Sequence, residues 1–262
     1  MSKDTQQQKK LKILLIGEIC QDVYVFGSVD RISPEAPVPV LRKLHKEYKK
    51  GMAGNVYENI LQIGDNVEID FYCNEIKSIK KIRFIDSKSN YQIMRYDIEK
   101  DIKDLSFDEL KNNIVYNAIV ISDYNKGYIS DELIRKIFNN FNSSKIFVDT
   151  KRKNISMFKN CILKINEKEF KDIRYQNRET KIIKTMGQEG CMFLENVYPV
   201  KKVDVHDVCG AGDVFLAALV MRWLETKDLI ASIKTANNCA SLSVTKLGCH
   251  TLTREEYENL CI

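Results

Sequence analysis

Short, nearly unbroken apolar runs that stop abruptly at Gly or Asp constrain this chain most. Lys12-Ile-Leu-Leu-Ile16 stops at Gly17, Ala118-Ile-Val-Ile-Ser122 at Asp123, and Lys145-Ile-Phe-Val148 at Asp149. A strand that is apolar on both faces must be covered on both faces. Segments with helical spacing lie between the runs. Leu133, Ile134, Ile137 and Phe138 form one stripe after a polar Ser130-Asp131-Glu132 start, and Ser106-x-x-Glu109 and Thr253-x-x-Glu256 read as capping boxes. Lys181-Ile-Ile-Lys-Thr185 and Cys191-Met-Phe-Leu194 predict a later strand pair around a glycine turn. Residues 214–224 are apolar nearly all round and predict a helix buried in the middle of the fold. Strands alternating with helices predict an α/β fold with a mainly parallel sheet.

Two segments break that rhythm. Residues 23–44 alternate and carry Pro34, Pro37 and Pro39; residues 81–97 alternate too, with Ile82, Phe84, Tyr91 and Ile93. Both predict exposed β-structure added to the main sheet, either a flap over a cleft or an edge hairpin without function. No composition shift marks a domain boundary. Residues 1–10 are polar and lysine-containing, with no apolar core behind them, and are expected to form a frayed tail rather than a secretory signal; residues 11–262 then form one domain.

Composition excludes several functions. No apolar run reaches the roughly 18 residues of a membrane helix, so no membrane partner is expected. The net charge of +5 is mild for 262 residues. No basic stretch interleaves aromatics as a single-strand nucleic-acid groove does, so no nucleic-acid partner is expected either. The eight cysteines never take C-x-x-C spacing, and the three His at 45, 206 and 250 are scattered. Structural zinc needs closely paired ligands, so these are expected to be reduced core thiols of a cytoplasmic protein.

The chemistry concentrates in Asp207-Val-Cys-Gly-Ala-Gly-Asp213, which runs straight into the apolar helix. Gly210, Ala211 and Gly212 are small and sit where a helix begins, so their amides lack helical partners and face the positive dipole end. That is an anion site. A carboxylate placed beside a bound anion needs another task, and taking a proton from a hydroxyl that attacks a phosphoryl group is one. The alternative is a glycine turn with Asp213 as a plain N-cap.

That stretch resembles the carboxy-terminal signature of the ribokinase-like (PfkB-type) carbohydrate kinases. Gly17-Glu-Ile-Cys-Gln-Asp22 resembles their first strand and turn, Gly51-Met-Ala-Gly-Asn55 their glycine-rich sugar segment, Lys164-Ile-Asn166-Glu-Lys-Glu169 their N-x-x-E motif, and Thr185-Met-Gly187-x-x-Gly190 their nucleotide-side turn. Arg31-Ile-Ser-Pro-Glu-Ala-Pro-Val-Pro-Val40 is similar to the lid of the D-glycero-β-D-manno-heptose 7-phosphate kinase branch, as are Ser122-Asp-Tyr-Asn-Lys-Gly127, Val148-Asp-Thr-Lys151 and Lys246-Leu-Gly248. The resemblance spans about residues 11–256. Departures stand beside it: Glu18 where Asp is usual, Met52 in place of a glycine, Val208-Cys209 in place of small hydroxyl residues, and about one β-α element, on the order of 20–30 residues, missing between Gly64 and Lys81. No nucleotidyltransferase domain is expected from the residues after 256.

The resemblance implies a three-layer α/β/α sandwich with a small β-lid over about 23–44 and 81–97. It implies ATP-dependent phosphoryl transfer to a sugar hydroxyl, with a phosphorylated heptose as acceptor. Alternatives are another sugar or nucleoside kinase of the family, or a non-catalytic sugar- or nucleotide-binding protein. In the kinase reading Asp213 is the general base, and the amides of Gly210, Ala211 and Gly212 hold the transferring phosphoryl group. Asn166 and Glu169 organise Mg²⁺ through water. Thr185, Gly187 and Gly190 shape the phosphate side of the nucleotide site, while Asn237 and Gly248 border the adenine. Asp22, Gly51 and Asn55 bind sugar hydroxyls; Arg31, Lys126 and Lys151 are candidates for a phosphate already on the sugar. A homodimer through the lid is implied, and a monovalent-cation requirement is left open.

Overall fold

The computed structural model describes residues 10–175 and 179–262. The predicted tail therefore lies outside the described residues, except for the exposed Lys10.

The first apolar run forms β1 (Leu11–Gly17). One residue later the chain enters β2 (Ile19–Ile32), a long strand that returns as β3 (Pro39–Met52) and leads directly into α1 (Ala53–Ile63) and β4 (Val67–Tyr72). A short 3₁₀ turn at Ile76–Ser78, with no helix, then carries the chain into the hairpin β5 (Ile79–Asp86) and β6 (Gln92–Glu99). The α/β rhythm resumes with β7 (Ala118–Asp123), α2 (Asp131–Asn140), β8 (Lys145–Thr150), β9 (Ile162–Asn166) and α3 (Glu167–Lys171). Then follow β10 (Lys181–Thr185), β11 (Cys191–Phe193), β12 (Asn196–Tyr198), α4 (Ala211–Thr226), α5 (Leu229–Ser243) and α6 (Arg254–Leu260).

These strands make two sheets. The larger has the order β12-β11-β10-β9-β8-β7-β1-β4 and is parallel from β10 through β4; β11 and β12 are antiparallel additions. The two-faced apolar runs explain the layering. On β1, Ile13 and Leu15 join one core with Val56, Ile60 and the residues of α4, while Leu14 and Ile16 join a second core with Ile134 and Ile137 of α2. Successive strand side chains point to opposite faces, so a run without polar interruption builds both cores at once. The predicted three-layer sandwich is the observed fold. α4, with Val214, Leu216 and Val220 fully buried, lies between the sheet and α5.

The second sheet is the lid, ordered β3-β2-β5-β6. It is larger than the alternating segments implied: it begins at Ile19 rather than 23, extends to Met52 rather than 44, and takes in all of 79–86 and 92–99. Only Glu18 separates β1 from β2, and the first lid pair, Ile19↔Met52, forms at the rim of the main sheet. No turn residue marks the crossing. Pro39 opens β3, a position a proline tolerates because it removes no ladder bond inside the strand.

No helix among the described residues is long and apolar enough to cross a membrane.

Candidate active site

The strands β1, β7, β8 and β9 present their carboxyl ends along one rim, where ligands bind in open parallel sheets. The amino end of α4 points into the same rim. Gly210 caps α4 in the left-handed region, with φ 76°. That conformation turns the chain so that the Gly210 and Gly212 amides have no hydrogen-bond partner among the described residues, whereas Ala211 N–H reaches the Val208 carbonyl at 3.4 Å. Of the three predicted anion-holding amides, the middle one is thus weakly engaged at home. A Cβ on Gly212 would lie 2.6 Å from Lys164 Nζ, so this cation stands beside the amides.

Asp213 occupies the first turn of α4 and is almost wholly buried. Its Oδ1 accepts a hydrogen bond from the Tyr124 hydroxyl at 2.7 Å, and its Oδ2 accepts a longer one from Asn55 Nδ2 at 3.3 Å. Burial raises its pKa to about 6; the Tyr124 hydrogen bond opposes the rise, Asp149 adds to it, and Lys164 and Asn55 oppose it. A carboxyl so placed changes protonation near neutrality, as a proton acceptor should. The N-cap alternative fails here: Gly210 is the cap, and the Asp213 side chain is spent on Tyr124 and Asn55.

Below the amides lies a cleft of about 410 Å³. Ten sequence-predicted residues line it: Gly210, Ala211, Gly212, Asp213, Lys151, Asn166, Thr185, Gly187, Gly190 and Asn237. Val200, Val203, Val205, Ala240 and Val244 give its far end an apolar wall. Gly187 and Gly190 both take positive φ, and a Cβ on Gly190 would strike the Tyr198 carbonyl. Asn237 Nδ2 donates to that same carbonyl at 2.7 Å. The Thr185 hydroxyl donates to the Ile165 carbonyl at 3.4 Å.

Asn166 and Glu169 form a capping box on α3. Asn166 Oδ1 accepts from the Glu169 amide at 2.8 Å, and Glu169 Oε2 accepts from the Asn166 amide at 2.8 Å. The other Glu169 oxygen pairs with Lys151. Their spacing is the capping signature already read at 106 and 253, and the motif's local role was missed. The oxygen best placed to receive a ligand belongs to a different residue. Asp149 Oδ1 is buried with no hydrogen-bond partner among the described residues, while Oδ2 accepts from Lys164 Nζ at 2.7 Å.

The remaining predicted residues sit under the lid. Asp22 is buried and ion-paired to the buried Arg83 of β5. A Cβ on Gly51 would land on Asp22 Oδ2, which explains the glycine. Asn55 also reaches the Gly210 carbonyl at 3.4 Å and so bridges the lid end of α1 to the anion turn. Lys126 is held by both oxygens of Glu99 at 2.7 Å, and its amide donates to Glu18, whose buried carboxylate ties the end of β1 to the 124–126 turn. Arg31 is exposed at the far end of β2 and has no ion pair among the described residues. Gly248, which the resemblance places beside an adenine, does not line this cleft. Its amide donates to Asp207 Oδ2 at 2.9 Å, which draws it toward the lid, where a Cβ would lie 2.8 Å from the Tyr24 hydroxyl.

Tyr124, Asp149, Lys164 and Arg83 were not foreseen. Arg83 had a signal: it is the charged residue of opposite parity between Ile82 and Phe84. Tyr124 and Asp149 stand inside quoted motifs at strand ends, which is where such sheets place chemistry, and Lys164 opens the quoted motif that runs to Glu169.

Residues 157–256 match the pfkB family carbohydrate kinase model. Nearly the whole chain is similar to bacterial proteins named bifunctional protein HldE. The one from Aliarcobacter butzleri is 32% identical over 95% of this chain and 64% of its own length. The one from Campylobacter concisus is 32% identical over 96% and 65%. Over residues 157–256 the chain is similar to the pfkB carbohydrate kinases. It spans just under two thirds of the length of these curated relatives. Among solved structures, Thermotoga maritima ribokinase superposes with a TM-score of 0.70 at 16% identity, covering 95% of this chain and 99% of that one. Escherichia coli phosphofructokinase-2, in complex with potassium, superposes with 0.72 at 15% identity, covering 96% and 97%. Both share the ribokinase-like fold with this chain.

Proposed function

We propose that this chain is an ATP-dependent kinase that phosphorylates a hydroxyl of a sugar already carrying a phosphate, a heptose phosphate in particular, and that residues 11–262 act as one kinase unit. The observation that carries the reading is the buried Asp213 carboxylate held by Tyr124 and Asn55, one residue beyond the free Gly212 amide. The similarity to proteins named HldE supports the heptose class.

In this reading the acceptor hydroxyl approaches Asp213 Oδ2, where only the 3.3 Å bond from Asn55 competes. Asp213 takes its proton as the oxygen attacks the terminal phosphorus. The amides of Gly210, Gly212 and Ala211, with Lys164 alongside, receive charge as it develops on the phosphoryl oxygens. A donor aimed at such charge contributes about 2.7–4 kcal/mol, against roughly 0.3–2 kcal/mol for ground-state anion binding at a helix end. Asp22, Gly51 and Asn55 hold sugar hydroxyls.

The cleft fits a nucleotide: an apolar far end for a base, Asn237 beside it, and the glycine turn of 187–190 with Thr185 toward the phosphates. It also fits a hydrated divalent cation such as Mg²⁺, because Asp149 Oδ1 is buried and unpartnered among the described residues and Asn166 lines the same space. Glu169 would act through water, since both its oxygens are already bonded. Such an ion supplies charge neutralisation on the phosphates. A monovalent cation is a further candidate, supported by the potassium complex of phosphofructokinase-2.

The sugar's own phosphate falls to basic residues around the lid. Lys126 and Lys151 would exchange Glu99 and Glu169 for it, while Arg31 is exposed and would reach it only with movement of the lid. Lys81 joins this set: it has no ion pair among the described residues and lies 5.5 Å from the Tyr124 ring.

The lid supports a homodimer. Paired residues share a face, so Tyr48, Val23, Ile82 and Tyr96 form one row across four strands on the side opposite Asp22, and Val25, Phe84 and Met94 extend it. Tyr48, Tyr96 and Met94 are more than half exposed, an apolar surface that a second copy would cover. No nucleic-acid or membrane partner enters this reading. Eight free cysteines support a reducing, cytoplasmic setting.

The test is ADP release with ATP·Mg²⁺ and a panel of sugars and sugar phosphates, run on the parent and on Asp213→Asn. Turnover is expected on a phosphorylated sugar and to fall at least ~100-fold in the variant, with ATP binding retained. Near-normal turnover in Asp213→Asn would remove Asp213 from the base role.

A further inference from the structure

Two of the eight cysteines are not plain core thiols. Cys209 lies one residue before the anion turn, and Cys249 lies in the loop beneath the lid residue Tyr24. Their sulfurs are 3.2 Å apart, although 40 residues separate them in the chain. We propose that Cys209 and Cys249 are a reversible oxidation site that closes to a disulfide when the chain meets hydrogen peroxide.

Four observations converge on this pair. First, the loops are already clamped: Asp207 accepts the Cys209 amide on Oδ1 and the Gly248 amide on Oδ2, each at 2.9 Å. A disulfide brings sulfurs to about 2.05 Å, so closure needs roughly one ångström, not a refolded loop. Second, Cys249 packs against Gly210, and its amide donates to the Tyr24 hydroxyl at 3.1 Å, so its direction of approach is set. Third, Arg83 Nη2 lies 3.2 Å from Cys209 Sγ, a fixed positive charge beside one sulfur of the pair. Fourth, Cys209 is half-buried whereas Cys249 is almost fully buried, so a small oxidant meets Cys209 first and Cys249 waits behind it.

The hydrogen bond from the Cys249 thiol, with Arg83 alongside, holds the Cys209 thiol below its ordinary pKa against its burial; the same bond and burial push Cys249 up. Cys209 is therefore the attacking sulfur and Cys249 the resolving one. The Cys209 thiolate attacks one peroxide oxygen, forming S–O and breaking O–O; the leaving hydroxide takes a proton and departs as water. Cys249 sulfur then attacks Cys209 sulfur, forming S–S and breaking S–O, and the expelled hydroxide leaves as water with the Cys249 proton. Two thiols lose two hydrogens, and the peroxide is reduced to two waters.

One oxygen of Asp22 and the two sulfurs lie within 4.8 Å of one another, a spacing that also suits a metal. The cation at this position is already Arg83, which pairs with Asp22 and donates to Cys209. Oxidation, not metal capture, is the chemistry left to the sulfurs.

The experiment reads mass and does not rest on the kinase reading. The full chain is reduced, freed of reductant, treated with hydrogen peroxide, alkylated and digested with trypsin without reduction. The expected result is an intact-mass loss of about 2 Da, with peptides 203–222 and 247–254 linked, restored by dithiothreitol and absent in both Cys209→Ser and Cys249→Ser. The remaining thiols stay open to alkylation under the same treatment. Linkage through Cys20, whose sulfur lies 3.8 Å from the same Asp22 oxygen, would overturn the assignment. So would a wild-type chain that keeps both thiols alkylatable, or one that gains oxygen in steps of about 16 Da instead.

Discussion

The two halves of the site are built from different materials. On the proposed nucleotide side the groups are mostly backbone: the amides of the 210–212 turn and the positive-φ glycines at 187 and 190, with the cation Lys164 beside them. On the proposed sugar side they are side chains from distant segments, Asp22 with Arg83, Asn55 with Asp213, and Cys209 with Cys249. Backbone sites need few specific side-chain partners, so a change there costs little more than the backbone strain it introduces. Side-chain sites fail when one partner is removed, because the other is left buried and unpaired.

Arg83→Met is the sharpest way to break the contrast. It strands the Asp22 carboxylate in a closed pocket, and removing one partner of such a pair costs on the order of 3–5 kcal/mol. Denaturant unfolding should show that loss, while Gly187→Ala at the cleft, where a Cβ meets nothing within 4 Å, should cost only the strain of its positive φ, roughly 1–2 kcal/mol. Equal losses would dissolve the distinction between the halves.

Gly51→Ala comes next. Its new methyl would displace the Asp22 carboxylate, so the Michaelis constant for the sugar should rise several-fold while that for ATP stays within about twofold. A matched rise in both would mean that the halves are not separable.

Asp213 links them and carries a sign that can be checked by heat. Its carboxyl is pushed from 3.8 up to about 6, so the protonated form is the one the fold prefers. The stability it contributes is fully present below pH 4 and lost as pH passes 6; at pH 7 its charge costs on the order of 1–3 kcal/mol. Asp213→Asn should therefore melt no lower than the parent at pH 7, although it loses turnover. A clear drop in Tm would mean that the ionised carboxylate is structural.

The smallest effect is expected at Met52. It takes φ 60°, ψ −134°, a region that glycine favours, while its side chain is buried against Cys20 and Ile79. Met52→Gly relieves strain worth about 1–3 kcal/mol and exposes a cavity of similar cost. Net stability should change by less than about 1 kcal/mol.

The same contrast decides what the amino-acid order revealed. Backbone features are written locally. The runs at 12–16, 118–122 and 145–148 are the observed strands, the buried 214–224 helix is α4, and the capping boxes at 106 and 253 are both made. β4 was harder to read because its six residues are all half-buried at the sheet edge and show no clean alternation. β9 was hidden by its Lys164, which reads as solvent-facing until Asp149 pairs with it. α5 has Asn237 and Thr235 buried among its apolar residues, which blurs the stripe. Tyr124, Arg83 and the Cys209–Cys249 pair depend on contacts across 89, 61 and 40 residues, and no local pattern encodes such partners. Gly248, which the resemblance places beside the adenine, is drawn toward the lid by Asp207, a contact across 41 residues that no local pattern encodes.

The pH dependence of kcat/KM for the sugar substrate, measured on the parent and on Tyr124→Phe, tests the central claim most directly. A substrate phosphate titrates equally with both proteins, so only a shift between them reports Asp213. The parent should lose activity on the acid side near pH 6. Because the Tyr124 hydroxyl donates to Asp213 Oδ1 and lowers its pKa, its removal should move that limb to higher pH. An acid limb that stays in place in Tyr124→Phe would contradict a proton-accepting Asp213 at the mouth of α4.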